Sequence, residues 1–156
     1  MTKFRTWYAI VLFTCLSSIA LYAPTAAADP RGGTYLLTIK DATTGAFASR
    51  GVITLHGDHT LSAIDSGQGG PDFFFSSQQG VWKPDSKGGA VGRTLDFNFP
   101  PSPGVARLDY TFQFGSDDKD VTGTITLTTF PLQGDPLGEG GTVVGTFTFD
   151  GKRVQP

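Results

Sequence analysis

The sequence predicts an all-β protein, an eight-stranded antiparallel up-and-down β-barrel that follows an N-terminal signal peptide. Three observations predict it. Through residues 90–154, apolar and polar side chains alternate with a period of two, the mark of strands with one buried and one wet face. Clusters of Gly, Pro, Asp and Ser divide the chain into short runs rich in aromatic, β-branched and threonine residues. Beyond residue 28, helices are not a serious competitor. Eight strands in meander order favour closure, which removes the exposed edges of an open sheet. A two-sheet sandwich fits the same rhythm and remains the alternative.

Residues 1–28 are set apart from the fold. Lys3 and Arg5 make a positive start, residues 8–23 are apolar, and Ala26, Ala27 and Ala28 supply the small residues a signal peptidase accepts. The apolar run is short for a spanning helix, which needs about 20 residues. Cleavage is expected before Asp29, leaving one domain over residues 29–156; an uncleaved anchor is the runner-up. Cys15, the single cysteine, lies inside the apolar run after Phe13 and Thr14, a poor lipidation context. The expected destination is the periplasm or the outside of a bacterial cell, with a mature chain that relies on its core rather than on disulfides.

The first half supplies four strands. Residues 33–40 form the first, with Tyr35, Leu37 and Ile39 inward. Residues 46–56 form a long second strand in which Gly51 marks a bulge or bend. Residues 60–66 form the third after the Gly57-Asp58-His59 turn. A glycine-rich loop at residues 67–72 leads through Phe73, Phe74 and Phe75 to the fourth strand, ending near Trp82 and Lys83.

The fifth strand begins near Ala90, with Val91, Leu95, Phe97 and Phe99 read as inward and Gly92, Thr94, Asp96 and Asn98 as outward. Strands six, seven and eight begin at Val105, Val121 and Thr142. In these strands Leu108, Tyr110, Phe112 and Phe114, then Val121, Gly123, Ile125 and Leu127, then Val143, Gly145, Phe147 and Phe149 face inward. Register can be tested, because a slip of one residue turns every side chain over. Placing Phe114 opposite Val121 pairs Phe112 with Gly123, Tyr110 with Ile125 and Leu108 with Leu127. Placing Leu108 opposite Phe97 pairs Tyr110 with Leu95 and Phe112 with Arg93.

Without its first 28 residues the chain carries ten basic and fourteen acidic residues. A mildly acidic surface without a basic patch argues against nucleic acid and anionic lipid as partners. No membrane contact is expected after signal cleavage, and no cofactor or metal is implied. His56 and His59 flank a turn with Asp58, but two histidines make no closed ligand set. No nucleophile elbow, zinc-protease helix or phosphate loop occurs, so no catalytic residue is assigned.

An eight-stranded barrel is either filled by side chains or holds one small ligand. The candidate ligand-binding residues are Trp82, Leu95, Phe97, Tyr110, Phe112 and Phe147, with Arg93 as a polar handle for a carboxylate-bearing guest. Gly123 and Gly145 leave volume beside Phe112. The competing reading is that the aromatics are plain core and Arg93 a rim residue whose charge stays in water. Phe73–Phe75 read as an aromatic lid, a docking patch or a doubly buried strand. The threonine ladder of Thr122, Thr124, Thr126 and Thr128 reads as an ordinary wet face.

The opening Gly33-Thr34-Tyr35 and closing Arg153 resemble the lipocalin-like (calycin) barrels, whose opening aromatic packs against a terminal-strand arginine. Gly57-Asp58-His59-Thr60-Leu61, Gly80-Val81-Trp82 and Val121-Thr122-Gly123-Thr124 are similar to pieces of small exported bacterial barrels of this type. The allene-oxide-cyclase-like barrels are a more distant comparison. The resemblance implies a closed barrel with Tyr35 and Arg153 as its barrel-closing pair, and a cavity for a small apolar molecule. A guanidinium over the aromatic face would plug one end of the barrel. The leading expectation is thus an exported barrel binding a small hydrophobic ligand. A cyclase or isomerase on the same barrel and a non-catalytic interaction protein with a packed core are the alternatives.

Overall fold

The computed structural model describes residues 29–69 and 74–156; the signal-peptide reading of residues 1–28, and Phe73, lie outside them. Eight strands follow one another: β1 Gly33–Asp41, β2 Phe47–Leu55, β3 Thr60–Asp65, β4 Gln78–Pro84, β5 Ala90–Asn98, β6 Gly104–Phe114, β7 Asp120–Pro131 and β8 Thr142–Arg153. Each pairs antiparallel with the next, and β1 pairs with β8, so the sheet is a closed up-and-down barrel.

The β6–β7 hairpin has the register that alternation predicts. Phe114 lies opposite Val121, Phe112 opposite Gly123, Tyr110 opposite Ile125 and Leu108 opposite Leu127. On the wet face the Thr111 and Thr124 hydroxyls meet at 2.7 Å. Tyr110, Phe112 and Phe114 stack down the inside of β6, with ring centroids 5.6 and 6.3 Å apart. The interior is packed most densely around Tyr35, Leu55, Leu61, Trp82, Phe112 and Val121, each 2 % exposed or less.

One end is closed by the first strand meeting the last. Tyr35 lies opposite Arg153, whose guanidinium carbon is 5.9 Å from the Tyr35 ring centre. The guanidinium donates to the carbonyls of Pro30 and Gly32, and the Tyr35 hydroxyl donates to the Arg31 carbonyl at 3.0 Å. Gly33 is required there. A Cβ at residue 33 would lie 2.8 Å from two Arg153 nitrogens, on a backbone with φ of 156°.

Three local expectations are corrected. The bulge in β2 falls at Ala48, between the Ile39–Ser49 and Lys40–Phe47 pairs; Gly51 stays in the ladder, opposite Leu37 and Asp65. A second bulge, at Val144, turns Val143 outward, and both valines are exposed. Residues 132–141 fold over the outer face of β6 and β7, where Arg107 donates to the carbonyls of Pro136 and Gly138 and lies over the Phe130 ring. That layer buries Val105, Thr128 and Phe130 outside the barrel.

The third correction is the largest. β5 is turned over: Ala90, Thr94 and Asp96 are buried, whereas Arg93, Phe97 and Phe99 are exposed and Leu95 is half-buried. Leu108 faces Thr94, Tyr110 faces Gly92 and Phe112 faces Ala90, an odd slip of three residues from the expected register. Prolines are the first cause. Pro100, Pro101 and Pro103 cannot donate to a ladder, so pairing ends at Asn98–Gly104 rather than running on to Phe99. Volume is the second. A Cβ on Gly92 would lie 3.0 Å from Leu61 Cδ2 and 3.2 Å from Phe112 Cε2, so the interior accepts only small side chains in this column.

Candidate binding site inside the barrel

The inverted strand places polar groups where sequence patterning places apolar ones. Gln78 on β4 and Thr94 and Asp96 on β5 are buried and face inward beside Tyr110 on β6. Gln78 and Asp96 occupy adjacent inward positions across the β4–β5 ladder, one step beyond the Gln79–Leu95 pair. The Gln78 Oε1 atom accepts from the Tyr110 hydroxyl at 2.5 Å and from the Thr94 hydroxyl at 3.2 Å. Those two bonds use both lone pairs of that oxygen.

Asp96 is different. It is 4 % exposed, and its Oδ1 atom has no hydrogen-bond partner. Burial pushes its carboxyl up to about 7, because the charged form loses its hydration and gains no compensating contact. Burial also pushes the Tyr110 phenol up, so that phenol stays protonated and donating. Nearby Asp65 is held by the Ser49 hydroxyl and the Gly67 N–H, both at 2.7 Å.

A small cavity of about 30 Å³ borders Gln78 and Tyr110 of this cluster, whereas Asp96 and Thr94 do not line it. Ile39, Ile53, Leu108 and Ile125 give it apolar walls, and Asp65, Gln78 and Tyr110 contribute polar ones. A water-sized group needs roughly 10–15 Å³ measured in this way, so the space admits a group of one or two heavy atoms. The gap expected between Phe112 and Gly123 is absent. The Phe149 ring fills it, 2.6 Å from where a Gly123 Cβ would be.

The residues expected to line a pocket therefore separate into four groups. Tyr110 borders the cavity. Trp82 and Phe112 are core: the indole donates to the His56 carbonyl at 2.9 Å, and Phe112 is fully buried against Tyr110, Phe114 and Phe149. Phe147 faces inward but is only half-buried, with its ring 3.2 Å from the Gly145 Cβ position. Arg93, Leu95 and Phe97 point away from the interior. Arg93 pairs with Asp109 at 2.5 Å, and Asp109 is 3.0 Å from Arg107. Instead Arg93 borders an open groove of about 690 Å³ on the outer face of β4, β5 and β6, with Val81, Lys83, Val91 and Thr111.

Patterning missed Asp96, Thr94 and Gln78 as interior groups. One signal was available. Asp109 belongs on the wet face, and opposite charges favour directly opposed positions; pairing Arg93 with Asp109 turns β5 over and brings Asp96 inside.

His59 adopts φ of 68° and meets the Trp82 ring edge-on at 5.0 Å, while His56 lies 3.1 Å from the Ser62 hydroxyl. Among the described residues no three His, Cys, Asp or Glu side chains approach closely enough to hold a metal ion. Phe74 and Phe99 are joined by a backbone hydrogen bond of 2.8 Å and, with Phe97, expose their rings at one end of β5. The chain matches no known family model, no curated protein and no solved structure.

Proposed function

We propose that the protein is an exported, lipocalin-like (calycin-type) barrel that binds a small molecule in its interior, at the end marked by Gln78, Asp96 and Tyr110. The observation that carries this reading is Asp96, a buried carboxyl oxygen without a partner beside the hydrogen bonds that Tyr110 and Thr94 give to Gln78. Such an atom costs stability unless something offsets it, and mismatches of this kind concentrate at functional sites. The guest is compact. Only one or two of its heavy atoms fit between the apolar walls of Ile39, Ile53, Leu108 and Ile125 and the polar side chains of Gln78 and Tyr110, without room for a large terpenoid or a long acyl chain. Its partners exclude nucleic acid on charge grounds, and its place is the periplasm or the extracellular space.

The test is mass spectrometry of solvent extracts from protein purified without denaturant, beside ¹⁵N–¹H spectra before and after extraction. A stoichiometric small molecule whose removal shifts Gln78, Tyr110 and Ile125 supports the reading. An extract without such a molecule, together with spectra that no added small molecule perturbs at these residues, contradicts it.

A second reading, a cyclase or isomerase on the same barrel, is favoured by one observation. A carboxyl titrating near 7 is poised to give and take protons at neutral pH. It requires turnover that disappears in Asp96→Asn, and an unaltered rate in that variant rules it out.

A further inference from the structure

We infer that the outer wall of the barrel carries a site of its own, for an amphiphilic organic anion whose carboxylate sits between Arg93 and Lys83 and whose hydrocarbon chain lies on Val81 and Val91. This goes beyond the interior reading and does not depend on it. The inversion of β5 creates the surface. By turning Thr94 and Asp96 inward, it presents Val91, Arg93 and Leu95 outward, beside Val81 and Lys83 of β4. Val81 lies opposite Arg93, and Lys83 lies opposite Val91. These four side chains form a checkerboard, with the two cations on one diagonal and the two valines on the other. Diagonal neighbours on one sheet face are roughly 7–8 Å apart, so a carboxylate placed between Arg93 and Lys83 is within reach of both. The open groove of about 690 Å³ lies over them.

Charge decides what the groove takes. Arg93 donates from Nε to Asp109 Oδ1, and its two terminal nitrogens meet no acceptor among the described residues. The end-on fork of the guanidinium is therefore open, the geometry that holds a carboxylate through two parallel hydrogen bonds. Lys83 belongs to none of the ion pairs among the described residues. Asp109, the carboxylate of the groove, is already held between Arg93 and Arg107, at 2.5 and 3.0 Å. A cationic guest finds no free acid here. An anion finds two incompletely engaged cations, on a chain that elsewhere carries an excess of acid. The valines choose among anions. Val81 is 61 % exposed and Val91 half-buried, and a hydrocarbon chain removes that apolar area from water, which an inorganic anion cannot do. A polyanion running onward from Arg93 would meet Glu139 in the adjoining hollow beneath residues 137–140, so a single acidic head suits the site better than an acidic peptide or a nucleic acid.

The experiment is a titration of the full-length mature protein at pH 8 with octanoate and, in parallel, with 1-octanol, octylammonium, acetate and inorganic phosphate. Calorimetry gives affinity, and ¹⁵N–¹H spectra locate binding. Octanoate should bind at least tenfold more tightly than each of the other four, and added salt should weaken it several-fold. It should shift Val81, Val91 and Arg93 and leave Ile53 and Ile125, inside the barrel, where they are. Arg93→Gln and Lys83→Gln should each weaken octanoate binding fivefold or more, whereas Lys152→Gln on β8 should leave it unchanged. Lys83 is exposed and unpaired, so its variant keeps the fold. Unchanged affinity in both Arg93→Gln and Lys83→Gln overturns the inference, as does octylammonium or acetate that binds as tightly as octanoate. Octanoate that shifts Ile53 and Ile125 but not Val81 and Val91 overturns it and supports the interior reading instead. If no probe shifts the outer wall, the inference is overturned, and the interior reading stands or falls on the solvent extracts alone.

Discussion

The β6–β7 hairpin and the neighbouring strand β5 alternate equally well in sequence and behave in opposite ways. Along β6, the residues that look apolar go inside: Leu108, Tyr110 and Phe112 are buried and Arg107, Asp109 and Thr111 face out. Along β5 the apolar set of Val91, Leu95 and Phe97 faces out, and Gly92, Thr94 and Asp96 face in. Alternation says that a strand has two faces; it does not say which is inside. That choice is made by the volume left by the other strands, and here Leu61, Trp82 and Phe112 have already claimed it.

The contrast can be broken with matched substitutions, measured by urea unfolding. Phe112→Ala should give the largest loss, about 3–5 kcal/mol, because the ring is fully buried among Tyr110, Phe114 and Phe149. A loss under about 1 kcal/mol would show that the interior is not built around that ring.

Asp96→Asn should come next, with the opposite sign. The folded carboxyl is raised from 3.8 to about 7, so the favourable contribution of its protonated form is complete below about 4 and lost as pH rises through 7. Removing the charge should stabilise the protein by roughly 4 kcal/mol at pH 8, and should flatten the decline in stability between pH 4 and 7. A pH profile that the substitution leaves unchanged would count against a buried Asp96.

Gly92→Val should cost about 1–3 kcal/mol, since its Cβ would press on Leu61 and Phe112. Were β5 the other way over, residue 92 would face water and valine would be tolerated or favourable. Phe97→Ala should have the smallest effect, within about 0.5 kcal/mol, because its ring is 55 % exposed. The two phenylalanines thus differ in cost by roughly an order of magnitude on adjacent strands.

The same contrast shows what was legible in the residues. The strand count, the meander and the β6–β7 register follow from local alternation and from the turn read at residues 116–120, and the structure has that count, meander and register. The contact between Tyr35 and Arg153 was also within reach, since both lie at strand ends that closure must bring together. The bulges at Ala48 and Val144 were not, because they answer to packing across strands rather than to a glycine. Nor was the interior polar cluster. Gln78 and Tyr110 are 32 residues apart, and Asp96 reads as an ordinary wet-face carboxylate until Arg93 is matched to Asp109.

The central claim is that β5 carries its acid inward. The ¹³C titration of the Asp96 carboxyl in the ligand-free protein tests it most directly. A midpoint near 7 is the expected result. A midpoint close to 3.8, the ordinary value for an exposed aspartate, would put Asp96 back on the wet face and remove the interior site with it.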